Sequence, residues 1–203
     1  MPKLGVAPRI VLASASPRRQ ELLKKVVSEF GVDPADLDEE ALTLDDPYRT
    51  AEQLAFAKAE CVSLRHRNSD WYLGSDTVVA LPLDGGGYKQ FSKPKDADEA
   101  FKFLNELCGK THFVITGVAL ITPLKSVSTQ AVAEVEFHVV SQAQLSDYVQ
   151  TGEPMDKAGA YGAQGMGAFL VKELRGDFET VVGLPTELVR TMLQELDYPF
   201  ESK

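Results

Sequence analysis

Arg9-Ile10-Val11-Leu12-Ala13-Ser14-Ala15-Ser16-Pro17-Arg18-Arg19 changes its period midway, and that change decides the fold class. Arg9 to Ala13 is a short apolar run with the length and β-branched content of a buried strand. Ser16 then offers a side chain that caps a helix, and Pro17 fits the first helical position, where its missing N–H costs nothing. Leu22, Leu23, Val26, Val27 and Phe30 recur at helical spacing, and Gly31 is expected to end the element. A strand that feeds directly into a helix points to an α/β architecture.

Further along, the two periods keep alternating. The acidic stretch Asp33 to Asp46 reads as a loop or a short edge strand. A second helix is predicted from Tyr48 to Arg67, with Ala51, Leu54, Ala55, Ala59 and Val62 on its apolar face. Trp71 to Leu81 is β-rich, and Asp84-Gly85-Gly86-Gly87 turns the chain after it. Asp96 with Glu99 forms a D-x-x-E cap ahead of Ala97, Ala100, Phe101, Leu104 and Leu107, and Gly109 closes that helix. Two long strands follow; in the second, Val135, Phe137 and Val139 alternate with Glu134, Glu136 and His138, which gives one wet face. A short helix near Gln144 to Thr151, a glycine-rich segment from Gly159 to Gly167, a strand from Ala168 to Leu174 and a helix opened by Pro185 complete the chain. The order predicts a mixed sheet with antiparallel strands, not a strict doubly wound repeat. No repeat, low-complexity tract or linker interrupts it, so residues 1–203 are expected to form a single domain.

Composition narrows the function classes. The 203 residues are 44% hydrophobic and 25% charged, the balance of an ordinary globular protein. Lys and Arg total 21 against 30 Asp and Glu, a net charge of −9, which argues against bulk nucleic-acid binding and against an anionic membrane. Cys61 and Cys108 are too few for a disulfide framework or a structural zinc site and fit a reducing compartment. The apolar run in MPKLGVAPRIVLASASPRR is too short for a signal peptide or a membrane span, so a cytoplasmic location is expected.

Several residues stand out chemically. Arg18 and Arg19 fall in the first turn of a helix, where the dipole disfavours cations by roughly 0.3–1 kcal/mol each. A bound polyanion resolves the conflict, and so does solvation or pairing with the acidic loop. Asp76, in Gly74-Ser75-Asp76-Thr77, is a carboxylate inside an apolar strand that needs a partner or a cation if buried, or water at a strand end. Lys58 sits among alanines and either enters a site or snorkels outward. Lys93 follows a glycine-rich hairpin in a rigid Ser92-Lys93-Pro94 turn. Gln164 lies in the glycine-rich segment, which either approaches a ligand closely or merely connects. The chain contains no Walker A loop and no Rossmann fingerprint. His66, His112 and His138 lack partners at metal or triad spacing and read as structural or exposed.

Taken together, these segments resemble the Maf family of nucleoside triphosphate pyrophosphatases. The resemblance rests on Ser14 to Arg19, Asp38-Glu39, Leu54 to Ala59, Gly74 to Thr77, Ser92-Lys93-Pro94, Gly109 to His112, Thr116 to Ala119, Thr151 to Gly165 and Val182 to Pro185. They occur in family order from about Arg9 to Leu196. The sequence departs from the pattern at Ser75, Ser92, Ala163 and Met166, and in a longer Leu83 to Tyr88 hairpin. The resemblance implies an α/β fold related to inosine-triphosphate pyrophosphatases, with an elongated mixed sheet flanked by helices and two lobes around a central cleft. It implies hydrolysis of a nucleoside triphosphate to monophosphate and pyrophosphate with a divalent cation, Mg²⁺ or Mn²⁺ and also Co²⁺ by donor type. Asp76 matches the family's proton acceptor; Ser14, Arg19, Lys58 and Lys93 match its phosphate-side residues. Glu39, with Asp76, matches an acidic position linked to the metal.

The resemblance also bears on substrate. Arg18, Thr77 and Gln164 match the family branch acting on dTTP, UTP and modified uridine triphosphates. The sister branch acting on 7-methyl-GTP has Trp, Gln and Glu there. The rival readings are a purine-directed pyrophosphatase and a non-catalytic nucleotide-binding regulator of cell division, since the family is associated with septum formation. A homodimer is the family-based expectation.

Overall fold

The computed structural model describes residues 8–66 and 70–200. Strand β1 (Ile10–Leu12) runs into helix α1 (Pro17–Leu23), where the Ser16 hydroxyl accepts from the Arg19 N–H at 3.4 Å and Pro17 opens the helix. The helix stops earlier than its apolar spacing suggests. Val26 and Val27 complete a turn, and Phe30–Val32 forms strand β2, parallel to β1. Gly31 therefore lies in a strand and does not end the helix. The acidic segment after Val32 is a loop.

Helix α2 (Pro47–His66) follows and crosses the sheet; its expected last residue, Arg67, lies outside the described residues. Strand β3 (Trp71–Pro82) turns through Asp84 to Gly87 into β4 (Tyr88–Phe91). Helix α3 (Ala97–Leu107) is capped by Asp96, whose carboxylate accepts from the Glu99 N–H at 2.8 Å. The long antiparallel pair β5 (Thr111–Ile121) and β6 (Ser126–Phe137) comes next. Val135 and Phe137 are fully buried as their alternation requires, but Val139 lies beyond the strand and is 84% exposed.

Helix α4 (Gln142–Gln150) begins with a capping box between Ser141 and Gln144. Short 3₁₀ turns at Glu153–Asp156, Ala158–Ala160 and Gly165–Leu170 carry the glycine-rich segment. Strand β7 is consequently Val171–Arg175, not Ala168 to Leu174. The chain ends with the short α5 (Phe178–Val182) and with α6 (Thr186–Glu195), which Pro185 precedes.

The seven strands form one mixed sheet in the order β2-β1-β3-β5-β6-β7, with β4 paired to β3. Period-2 alternation along β3 sends its side chains to two different layers. Leu73 packs in the cluster of α1 and α6, with Leu22, Leu23, Val189 and Met192. Val79 and Leu81 pack with Leu104, Leu107 and Leu145 of α3 and α4. Tyr72, Val78 and Ala80 face the other side, against α2.

Helix α2 lies unusually close to the sheet, and small residues on both sides permit it. Ala51, Ala55 and Ala59 recur every fourth residue and are fully buried. Opposite them stand two glycines: a Cβ on Gly74 would meet the Ala55 carbonyl oxygen at 1.9 Å, and one on Gly117 would meet the Ala51 carbonyl oxygen at 2.0 Å. Two backbones touch here with no side chain between them.

The sheet also splits. One edge of β3 pairs with β5 from Tyr72 to Ala80. The other edge pairs with β1 as far as Leu73 and with β4 only from Val79 onward. Among the described residues, no strand pairs with that edge from Gly74 to Val78. Such an opening is where α/β sheets place ligands, because the flanking loops diverge.

Candidate active site

A cleft of about 1270 Å³ opens at this split. Asp76 lies in the middle of the unpaired stretch and is 7% exposed. Its side chain points to the α2 layer, where Lys58, also 7% exposed, donates a short hydrogen bond to Asp76 Oδ1. Lys58 does not snorkel to solvent. It reaches Asp76 because the glycine–alanine contact brings α2 down onto β3. Its Nζ also lies 2.8 Å from Glu39 Oε1, on the loop after β2. One buried ammonium thus bridges two carboxylates, and each charge has the partner that burial demands. Burial alone raises the Glu39 pKa, but the charge and hydrogen bond of Lys58, with Lys93 and Arg19 nearby, hold it below the usual range.

Thr77 points to the opposite layer, toward Arg19. The Arg19 guanidinium donates from Nε to the Gly183 carbonyl at 2.9 Å, from Nη1 to Ser14 Oγ at 3.3 Å and from Nη2 to Thr77 Oγ1 at 3.2 Å. Thr77 Oγ1 lies 2.9 Å from Thr116 Oγ1, and Thr116 donates to the Thr180 carbonyl at 2.7 Å. Ser75 anchors the same corner by donating to the Gly183 carbonyl at 2.9 Å. Gly183, at φ 116°, presents a carbonyl to both side chains. Burial lowers the Arg19 pKa while Asp76 and Glu39 raise it, with a net lowering; an arginine remains charged regardless. The adjacent arginines at the helix start therefore diverge. Arg19 is fixed by backbone and hydroxyl acceptors, and Arg18 Nη1 pairs with Asp156 Oδ2 at 3.0 Å.

Lys93, exposed after β4, and Gln164, exposed at the start of the last 3₁₀ turn, line the same cleft. All the residues singled out from the sequence converge on it: Ser14, Arg18, Arg19, Glu39, Lys58, Asp76, Thr77, Lys93 and Gln164. Glu153, Asp156, Lys157 and Tyr161 also line it and were not singled out. Tyr161 is locked by His112, whose Nε2 lies 2.9 Å from the Tyr161 hydroxyl in a fully buried position. The only sequence hint at this was a polar histidine beginning an apolar strand.

The cleft lining combines groups of different chemistry. Arg19, Lys58 and Lys93 provide cationic groups for a polyanion, and Ser14 provides a hydroxyl. Gln164 offers an amide donor and acceptor. Glu39 and Asp76 are oxygen donors of the kind that Mg²⁺ or Mn²⁺ takes. No group of three or more His, Cys, Asp or Glu side chains suited to a metal occurs among the described residues. Two carboxylates without a protein cage suit a cation that shares its shell with water and substrate phosphates.

Comparison with known proteins identifies the family and the fold. The family model described as "Maf-like protein" matches residues 9–196. A protein of Symbiobacterium thermophilum named dTTP/UTP pyrophosphatase is 43% identical over 191 residues, spanning 94% of this chain and 95% of its own. A protein of the same name from Aquifex aeolicus is 41% identical over 189 residues, with 93% and 96% covered. Among solved structures, the Ham1 protein of Staphylococcus aureus superposes with a TM-score of 0.55 at 15% identity, over 93% of this chain and 99% of that one. That last likeness concerns the fold alone. With a match that runs from β1 through α6, the chain belongs to the Maf-like family.

Proposed function

We propose that this protein hydrolyses dTTP and UTP to the nucleoside monophosphate and pyrophosphate. The observation that carries this reading is the buried Lys58 between Asp76 and Glu39, set in a cleft whose other walls bear Arg19, Lys93 and Gln164. Relatives named for that activity, about 40% identical over most of their length, support the substrate class.

The chemistry divides among these side chains. Arg19, Lys58, Lys93 and Ser14 bind the triphosphate and neutralise the charge that gathers on the pyrophosphate leaving group. Asp76 has Oδ1 engaged by Lys58 and takes the proton of the attacking water on Oδ2. As the water oxygen bonds to phosphorus, the bridging P–O bond of the α–β anhydride breaks and pyrophosphate departs. A divalent cation, when held by Glu39 and Asp76, supplies further charge neutralisation on the phosphate oxygens. Arg18, Thr77 and Gln164 discriminate the base; the Gln164 amide pairs with the O4 and N3–H edge of uracil or thymine. We take residues 9–196 to act as one unit, because β3 alone carries contacts to both walls of the cleft.

The test is pyrophosphate release from dTTP, UTP, CTP, GTP, ATP and 7-methyl-GTP with Mg²⁺ or Mn²⁺, with Asp76→Asn alongside. Release from dTTP and UTP that disappears in the variant supports the reading. Preference for 7-methyl-GTP refutes the base assignment. A folded protein that binds nucleotide and releases nothing refutes catalysis.

A further inference from the structure

Arg18 is held from the opposite wall of the cleft. Its partner Asp156 lies 138 residues further along the chain, in the 3₁₀ turn that follows α4. Both oxygens of that carboxylate are engaged: Oδ2 by Arg18 at 3.0 Å, and Oδ1 by Lys157 Nζ at 2.6 Å. The same ammonium donates to the Glu153 carbonyl at 2.5 Å. The Glu153 carboxylate in turn accepts from the Tyr148 hydroxyl at 3.0 Å, the Met166 N–H at 3.0 Å and the Gly167 N–H at 3.1 Å. Gln164 belongs to the loop pinned by these bonds. One run of polar contacts therefore connects Arg18 with the segment that presents Gln164.

The arrangement adds little to fold stability, since the Arg18 and Asp156 side chains are 34% and 63% exposed. What it does is orient. A long side chain on the first helical turn, where the dipole repels a cation, needs an external anion to fix it. Burial raises the Asp156 pKa, but the Lys157 hydrogen bond and the Arg18 charge outweigh this and hold it below the usual range.

We infer that Asp156 is a positioning residue for Arg18, setting the guanidinium against the loop that carries Gln164 and thereby sharpening selection of the nucleobase. This rests on the reading of Arg18 and Gln164 as base-discriminating residues. Steady-state pyrophosphate release from dTTP and GTP by Asp156→Ala, Asp156→Asn, Arg18→Ala and the Arg18→Ala/Asp156→Ala double variant tests it. Loss of Asp156 raises KM for dTTP about fivefold with kcat within about twofold, and lowers the dTTP preference by a similar factor. The thermal midpoint moves by less than about 2 °C. Asp156→Asn, which keeps an acceptor, falls between, and the double variant matches Arg18→Ala alone because the two act as one unit. An unchanged KM overturns the inference. A lowered KM also does so, since Asp156 would then compete with the nucleotide for Arg18. Multiplying losses in the double variant mean that Asp156 does not act through Arg18. If the unmutated protein turns over neither dTTP nor UTP, the functional reading falls and this inference with it.

Discussion

Replacing Gly74 by alanine should disable the site from beneath. The added Cβ would sit 1.9 Å from the Ala55 carbonyl oxygen and 2.9 Å from the Ala59 nitrogen, whereas ordinary contact begins at 3.4 Å. Both obstacles are helix backbone, so α2 must rise from β3 by about 1–1.5 Å if the sheet stays in place. Lys58 lies one residue from Ala59 and would be carried away from Asp76. Overpacking of this kind costs about 1–3 kcal/mol, which for a chain of this size lowers the thermal midpoint by roughly 3–9 °C. Displacement of a reacting group by about 1 Å costs on the order of 100-fold in rate. Turnover should therefore fall far more than stability, with a folded protein still present. The assay pairs thermal unfolding by circular dichroism with pyrophosphate release from dTTP. Gly85→Ala serves as the control, since a Cβ there meets nothing within 4 Å. If Gly74→Ala melts and turns over like Gly85→Ala, the close contact of α2 with the sheet does not place Lys58, and the reasoning fails.

Other outcomes follow from the same geometry. Arg19→Lys cannot reproduce three donors aimed at Gly183, Ser14 and Thr77, so kcat/KM should drop about tenfold or more despite the retained charge; a variant with unmutated kinetics would refute this. Burial lowers the His112 pKa to about 4, so between about pH 6.5 and 4 the unfolded chain binds a proton that the folded one refuses. Its share of stability is complete above that window and is lost as pH falls through it, with a slope approaching about 1.4 kcal/mol per pH unit. In urea titrations at stepped pH, His112→Gln should flatten this decline, and an equal slope in both proteins would count against it. Chelation with EDTA should abolish turnover while moving the melting midpoint of the nucleotide-free protein by less than about 2 °C, because two carboxylates without a cage bind a free cation weakly. A large drop in that midpoint would point to a structural metal instead.

What could be read from the chain was mostly what is local. Ser16 and Asp96 announce helix starts through bonds made within three residues, and Pro17 does so through its fixed φ and missing N–H; all three stand at helix starts in the structure. The β3 segment was recognisable because Trp71 to Leu81 is rich in β-branched and apolar residues on both sides of Gly74-Ser75-Asp76. Phe30-Gly31-Val32 was not, because a three-residue parallel strand is formed by its pairing with β1 rather than by its own pattern. The run Ala168 to Leu174 begins as a 3₁₀ turn because Gly165 adopts φ 75° and Glu153 draws in the Met166 and Gly167 N–H groups. Lys58 and Asp76 were each ambiguous alone. An alanine-rich helix offers no sign that its lysine points inward until the facing glycines are seen to admit the helix backbone. The family motifs brought the site residues together on paper, whereas the contact of Arg18 with Asp156 depends wholly on long-range folding.

The split in the sheet has a mechanical consequence. Strand β1 holds one wall of the cleft and β4 the other, yet both hang from the same edge of β3, which is itself laced to β5 by an unbroken ladder from Tyr72 to Ala80. A nucleotide entering between the walls meets two strands that share one partner, β3. To widen the gap, β3 and β5 would have to twist together as a beam, against every rung of that ladder. Glu39, Lys93 and Gln164 reach the cleft from segments outside that ladder, so the spacing of the walls and the placing of these side chains are set by separate parts of the chain.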